Sequence, residues 1–125
     1  MTTVFHKELT QDKWNKSDLL HQMANIGSEF ERAINWREKS KIESDAAIDR
    51  LFELIDLTID DPKNKARLKE IVRLREVLAD LLVFGNEYKS DINKTKDYFY
   101  QFNWAARLSA VSSRLPREAL AKWGA

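Results

Sequence analysis

Cysteine is absent from the 125-residue chain, and glycine and proline are scarce, with three and two copies. A chain without cysteine forms no disulfide framework and offers neither a thiol nucleophile nor a thiolate metal ligand. With so little glycine and proline, few residues remain for the tight turns that connect short strands. The sequence therefore predicts an all-α fold built from a few long helices.

Long apolar runs and a marked excess of one charge are also missing. The apolar runs are far shorter than the ~20 residues needed to cross a bilayer, and the first residues lack the basic start and apolar core of a signal peptide. The formal net charge is +1, whereas nucleic-acid-binding domains usually carry a clear basic excess. These features predict a soluble, cytoplasmic protein and argue against membrane or nucleic-acid binding.

Apolar residues spaced three and four apart predict four long helices in one domain. An N-terminal arm precedes them, in which Trp14 is expected to dock as an anchor, and a short C-terminal helix follows them. The expected ranges are 1–16 for the arm, 17–39, 45–60, 62–85 and 91–114 for the long helices, and 116–123 for the short one. Because the connections are short, we expect an antiparallel up-down-up-down four-helix bundle.

Capping and helix-breaking residues predict where these helices begin and end. The expected N-caps of the first, second and fourth helices are Asn15 or Ser17, Ser44 and Ser90. Asp61-Pro62 is expected to end the second helix and to start the third, which stops at Gly85-Asn86. Gly27 lies inside the first helix at a cost of roughly 1 kcal/mol against Ala. It indicates either close approach of another helix or access for a ligand.

A line of chemically versatile side chains runs along the first helix beside its apolar ladder. Its members are His21, Asn25, Glu29, Arg32 and Trp36. A Glu and an Arg one turn apart can orient a phosphate or carboxylate ligand, so these residues and Arg75 form a candidate binding site. The structural alternative is an ion pair of Glu29 with Arg32 or with Arg75, since Arg75 interrupts an apolar ladder and needs a carboxylate there.

The second helix carries an acidic stripe opposite its apolar face. Its members are Asp45, Asp49, Glu53, Asp56 and Asp60. Such a stripe is typical of the solvated face of an amphipathic helix, although clustered carboxylates can also bind magnesium. A di-iron bundle would need Glu-x-x-His pairs on facing helices, and neither His6 nor His21 belongs to one. The sequence indicates no cofactor.

The pattern Glu53-x-x-Asp56 resembles half of the signature of the MazG-like nucleotide pyrophosphohydrolases, an all-α family. That family pairs a Glu-x-x-Glu on one helix with a Glu-x-x-Asp on the next, and both hold magnesium over a triphosphate. Here Glu29 is followed three positions later by Arg32, so the first half of the signature is missing. The resemblance implies a metal-dependent nucleotide or phosphate enzyme that uses Glu29, Glu53 and Asp56.

The expected architecture is also similar to that of the HEPN-like four-helix bundles, which include toxin ribonucleases and partners of nucleotidyltransferases. Their ribonuclease motif places an Arg, a polar residue and a His on the last long helix. The fourth helix here contains Arg107 and Arg114, but no His follows His21. This resemblance implies a non-catalytic partner in a toxin or nucleotidyltransferase system.

The fourth helix concentrates aromatic residues, which are Tyr98, Phe99, Tyr100, Phe102 and Trp104. Neighbours on a helix lie about 100° apart, so one buried stripe cannot hold all five. We expect Phe99 and Phe102 inside, whereas Tyr100, Trp104 and Arg107 are candidates for a subunit interface, for core flanks or for base stacking. The sequence favours a non-enzymatic interaction module that forms a homodimer or binds a helical partner, with the Trp36 end of the first helix contributing.

Overall fold

The computed structural model describes residues 10–86 and 89–112, and within these ranges all regular secondary structure is helical. The α-helices are α1 (Gln11–Asn15), α2 (Leu19–Trp36), α3 (Lys41–Ile59), α4 (Leu68–Leu82) and α5 (Ile92–Ser112). A 3-10 helix, Pro62–Arg67, connects α3 to α4. The all-α prediction is confirmed for this part of the chain. The helix expected at 116–123 and residues 1–9 of the expected arm lie outside the described residues.

The central element is α2, which contacts α3 along one side and α5 along the other, while α3 also contacts α4. Near the turn between α2 and α3, the Ser44 hydroxyl donates to the Ala33 carbonyl at 2.8 Å. Further from the turn, Arg50 donates to Glu29 at 3.2 Å. Pairs that are more distant in sequence meet further from the turn, so α2 and α3 run past each other in opposite directions.

The apolar core lies between α2, α3, α4 and α5. Its fully buried members include Ile26, Phe30, Leu51, Ile55 and Leu78. These residues recur at the three- and four-residue spacing of one helical face, which is why each helix buries one side and keeps charged residues on the other. From α5, Phe99 closes the core over Phe30, with ring centroids 5.5 Å apart.

Gly27 is required by the close approach of α5 to α2. A Cβ atom at this position would lie 2.8 Å from the Cβ of Phe99 and 3.0 Å from two of its ring carbons. Carbon atoms pack at about 3.5–4.0 Å, so a larger residue here would push α5 outward. Of the two interpretations of Gly27, close helix packing is therefore the one that the contact supports.

Several predicted helix starts are wrong, because other residues cap the helices. The last residues of the expected arm form α1, and the cap of α2 is Asp18, whose Oδ1 accepts the His21 backbone N–H at 2.9 Å. Helix α3 begins at Lys41, four residues early, because the Ser40 hydroxyl accepts the Glu43 backbone N–H. Helix α5 is capped by Asp91 and not by Ser90, since Asp91 Oδ1 accepts the N–H groups of the two residues that follow Ile92.

Two other predicted boundary signals are confirmed, although α2 ends at Trp36 instead of 39 and α4 ends at Leu82 instead of 85. Asp61 accepts the Lys63 backbone N–H and Pro62 takes the first helical position, although the turn that follows is a 3-10 helix. Gly85 and Asn86 both have positive φ, at 92° and 60°, just beyond the end of α4. The predicted anchor is also correct, because Trp14 of α1 is buried and its indole N–H donates to the Thr58 hydroxyl at 3.0 Å.

Candidate functional site

Glu29 is the buried member of the line of side chains predicted along α2. Its Oε1 accepts a hydrogen bond from Arg32 Nη1 at 3.1 Å, and its Oε2 accepts one from Arg50 Nε at 3.2 Å. The Glu29 side chain is 11% exposed, so two guanidinium groups neutralise a carboxylate that burial would otherwise penalise. The Glu29–Arg32 pairing is one of the predicted alternatives, whereas Arg50 of α3 was not among the predicted site residues.

The predicted Glu29–Arg75 bridge is wrong. Arg75 of α4 instead donates from Nε to Asp56 Oδ1 at 2.8 Å. Its guanidinium carbon lies 5.2 Å from the centroid of the Phe52 ring, within the range of a cation–π contact. Both partners belong to α3, so Arg75 connects α4 to α3 and not to α2.

The rest of the predicted line is not gathered into one site. The Nδ1 atom of His21 lies 2.6 Å from Asp18 Oδ1. Hydrogen bonds from the His21 backbone and ring hold the pKa of Asp18 below its ordinary value and outweigh a smaller desolvation effect. Asn25 is exposed, and Trp36, on the last turn of α2, is also exposed. Of the five residues, the structure therefore brings only Glu29 and Arg32 into contact.

Replacing Glu29, Arg32 and Arg50 one at a time with neutral residues should show how much each ion pair contributes to stability. We expect Glu29→Gln to lower the free energy of unfolding by about 2–3 kcal/mol, because it removes a buried charge from between two cations. Arg50→Gln should cost about 2 kcal/mol, whereas Arg32→Gln should cost less than about 1 kcal/mol, since the Arg32 side chain is half exposed and water screens its charge. Urea denaturation at neutral pH measures all three, and equal costs for the two arginine variants would contradict this assignment.

Two of the three carboxylates that the sequence offers for magnesium are engaged with arginines. Glu29 binds Arg32 and Arg50, and Asp56 binds Arg75. Across residues 10–86 and 89–112, no three His, Asp or Glu side chains gather in a group that could hold a metal ion. The described contacts of Glu29 and Asp56 therefore serve helix packing.

Exposed apolar side chains occupy one face of α5. Tyr100, Trp104 and Leu108 follow each other at four-residue spacing and are 51%, 63% and 46% exposed. Arg107 is exposed beside them. We name these four residues the α5 stripe. The opposite face of α5 buries Phe99 and half-buries Phe102, as the sequence predicts. Tyr, Trp and Arg are residue types enriched at protein interfaces.

A buried polar cluster joins α1, α2, α3 and the 3-10 helix, and sequence reasoning missed it as a unit. We name it the polar junction, and its members are Trp14, Gln22, Thr58, Asp61 and Asn64. Gln22 Nε2 donates to the Trp14 carbonyl at 3.0 Å and to Asp61 Oδ2 at 2.8 Å. Asn64 Nδ2 donates to Gln22 Oε1 at 2.8 Å and to the Thr58 carbonyl at 3.0 Å.

Electrostatics support a structural role for the polar junction. Burial alone would raise the pKa of Asp61, but hydrogen bonds from Lys63 and Gln22 outweigh it and hold the pKa below its ordinary value. Lys63 Nζ also donates to the Asn15 carbonyl at 2.7 Å, which ties the end of α1 to the same carboxylate. Because its polar groups hydrogen-bond to one another, the polar junction holds α1, α2, α3 and the 3-10 helix together.

Comparison of the chain with protein-family models, with curated proteins and with solved structures finds no match. Among the helices of the described ranges, none has both the length and the apolar character needed to cross a membrane. The buried groups of the polar junction hydrogen-bond to one another, whereas the α5 stripe presents apolar side chains to solvent.

Proposed function

We propose that the protein is a non-enzymatic interaction module that forms a homodimer through the α5 stripe. The observation that carries this proposal is the exposure of Tyr100, Trp104 and Leu108 on a single helical face. Tyr, Trp and Arg are the residue types that most often dominate the binding energy of protein interfaces. The metal-dependent alternative gains no comparable support, because arginines already bind Glu29 and Asp56. The HEPN-like alternative is supported by architecture alone.

The scaffold that we propose for this stripe is the antiparallel up-down-up-down four-helix bundle. The hairpin of α2 and α3 supports it, and so do the contacts of α2 with α5. Phe30 packs against Phe99, while Met23 lines a small cavity together with Phe102. Residues early in α2 thus lie beside residues later in α5, which is the relation expected of antiparallel neighbours.

The stripe is arranged symmetrically about Trp104, and this favours a second copy of the chain as its partner. A twofold axis at Trp104 would bring Trp104 of the two copies together. The same axis would place Tyr100 of each copy opposite Leu108 of the other, as an isologous interface requires. Arg107 lies one turn from Trp104, close enough for its guanidinium group to stack on an aromatic ring across the axis.

The size of the stripe suits the centre of an interface. A large aromatic side chain buries ~150–250 Å², and more than half of Tyr100 and of Trp104 is exposed, so each copy presents on the order of 200 Å² of aromatic surface. A standard interface covers ~800 Å² per partner, so a rim must surround this centre. Suitable rim residues are Ala24, Glu31, Lys96 and Asn103, which line a small gap beside Tyr100.

Trp36 is not part of the proposed surface. Met23 is level with Phe102, and Trp36 lies further along α2 by thirteen residues, or ~20 Å at 1.5 Å per residue. We therefore do not include the Trp36 end of α2 in the proposed interaction surface, which is centred on α5 alone.

A single cysteine at the proposed twofold axis tests the dimer directly, because the chain contains no cysteine of its own. Packed helices lie 8–10 Å apart, which brings α-carbons at the axis within the ~7 Å limit for a disulfide. We expect Trp104→Cys to form a disulfide-linked dimer at least tenfold faster than Phe84→Cys under mild oxidation, because Tyr100, Leu108 and Arg107 still align the two copies during encounters that the loss of the indole makes weaker. Phe84 is a suitable control since it is 71% exposed and lies beyond α4. Equal rates, followed by non-reducing electrophoresis, would contradict the proposed interface.

A further inference from the structure

A groove separates α4 from the first turns of α5. Its volume is about 540 Å³, within the ~300–1,000 Å³ range of small-molecule sites. Leu74, Val77 and the ring of Tyr98 form an apolar part of its lining, and Arg73, Lys89 and Lys94 contribute positive charge. We name this feature the α4–α5 groove. Tyr98 and Tyr100 point to different sides of α5, so the groove and the α5 stripe are separate surfaces.

Both acidic residues of the groove are already engaged. Glu70 accepts hydrogen bonds from Arg67 at 2.7 Å and from the Tyr98 hydroxyl at 3.0 Å, and these bonds hold the pKa of Glu70 below its ordinary value. Asp91 caps α5 and accepts two backbone N–H groups. In contrast, neither Lys89 nor Lys94 forms an ion pair with a residue in the described ranges. The groove therefore combines an apolar lining with two lysines whose charge is available to a ligand, and Arg73, which pairs with Glu76 at 3.7 Å, adds positive charge beside them.

We propose that the α4–α5 groove binds a small organic anion. Its apolar or aromatic body would pack against Leu74, Val77 and the Tyr98 ring, while a carboxylate, sulfonate or phosphate group would face Lys94 and Arg73. Charge complementarity argues for an anion, and the apolar lining argues for a ligand with a hydrophobic body in place of an inorganic ion. The Tyr98 hydroxyl donates a hydrogen bond to Glu70. Burial, together with that carboxylate, raises the pKa of Tyr98, so its ring is a neutral packing surface at physiological pH.

The test is a fluorescence titration with anilinonaphthalene sulfonate, an aromatic organic anion, and with its uncharged relative N-phenylnaphthylamine. We expect the folded protein to bind one equivalent of the sulfonate per chain. Arg73→Gln/Lys94→Gln should weaken sulfonate binding by about tenfold and should leave the affinity for the uncharged dye unchanged, because only the charge contacts are removed. The sulfonate affinity should also fall with added salt.

Two control variants show where the dye binds. Lys65→Gln/Lys69→Gln removes the same charge from exposed positions outside the groove and should retain full affinity. Tyr100→Ala/Trp104→Ala should also retain it, which separates the groove from the proposed dimer interface. Val77→Glu should abolish sulfonate binding, because it places a carboxylate in the lining. Unchanged binding in the Arg73/Lys94 variant, or loss of binding in the α5 stripe variant, would overturn the proposal.

Discussion

Replacing Tyr100 and Trp104 together with Ala is expected to weaken self-association at least a hundredfold while the chain stays folded. Interface aromatics of this kind contribute on the order of 2 kcal/mol or more each, and a twofold interface loses every substituted side chain twice. Both side chains are more than half exposed in the single chain, so its stability should change by no more than about 0.5 kcal/mol.

Sedimentation equilibrium of the wild type and of the Tyr100→Ala/Trp104→Ala variant measures this effect, and urea denaturation checks the fold. The matched control is Ile42→Ala/Phe84→Ala, which removes two exposed apolar side chains outside the α5 stripe. That control should dimerise as the wild type does. If it weakened association as much as the α5 variant, general surface hydrophobicity would explain the dimer better than a specific interface.

Gln22→Leu is expected to lower the free energy of unfolding by about 3–4 kcal/mol. Gln22 is fully buried, and its amide makes three hydrogen bonds, to Trp14, Asp61 and Asn64. A Leu side chain fills a similar volume but removes one buried hydrogen bond from each of the three partners, at about 1 kcal/mol for Trp14 and for Asn64 and about 1.5–3 kcal/mol for the charged Asp61. Asn25→Leu, an exposed change on the same helix, is the matched control and should stay within about 0.5 kcal/mol.

The companion variant Gln22→Glu tests the charge of the polar junction. It places a second carboxylate where the Gln22 amide lies 2.8 Å from Asp61 Oδ2, and two buried like charges raise the pKa of the pair. When folding raises the pKa of a carboxyl group, the free energy of unfolding falls as the pH rises through that pKa. The stability of Gln22→Glu should therefore approach that of the wild type as the pH falls and one carboxyl group is protonated. Urea denaturation over roughly pH 4–7, the range just above the ordinary pKa of a carboxyl group, measures the trend. A constant difference from wild type would contradict a junction built around the Asp61 carboxylate.

Features encoded by a few neighbouring residues were predictable from the sequence. The scarcity of glycine and proline indicates the all-α class. Asp61-Pro62 and Gly85-Asn86 mark helix ends because the backbone conformation of these residues is itself incompatible with a continuing helix. The pattern Ser40-x-x-Glu43 is that of a capping box and marks the start of α3, whereas the predicted cap is Ser44. Ser44 instead bonds to the Ala33 carbonyl, a contact across the α2–α3 hairpin that a local pattern cannot reveal.

Side-chain partners across helices were not predictable, because they depend on how each helix is rotated about its axis. Arg50 lies on the same helix as the acidic stripe and carried no signal of its own, yet it contacts Glu29. Arg75 was expected inside the bundle, whereas it lies at the surface of the α3–α4 contact with Asp56. In the polar junction, Trp14 and Asp61 were predicted as an anchor and a cap, but nothing in the sequence connected them through Gln22 and Asn64.

The crowding of aromatics on α5 was the most informative sequence feature. The 100° step between neighbours required some of them to face outward, and the structure places Tyr100 and Trp104 there and Phe99 inside. Their role as a dimer interface is the proposal built on that exposure.

The molar mass of the wild type, measured by light scattering on a size-exclusion column over a hundredfold range of loading concentration, tests this proposal most directly. One chain has a mass of 14.6 kDa. A homodimer formed through the α5 stripe predicts a mass of twice that value at high concentration, which falls toward the single-chain value on dilution. A mass of 14.6 kDa at every concentration would contradict self-association and would leave the α5 stripe without a second copy as its partner.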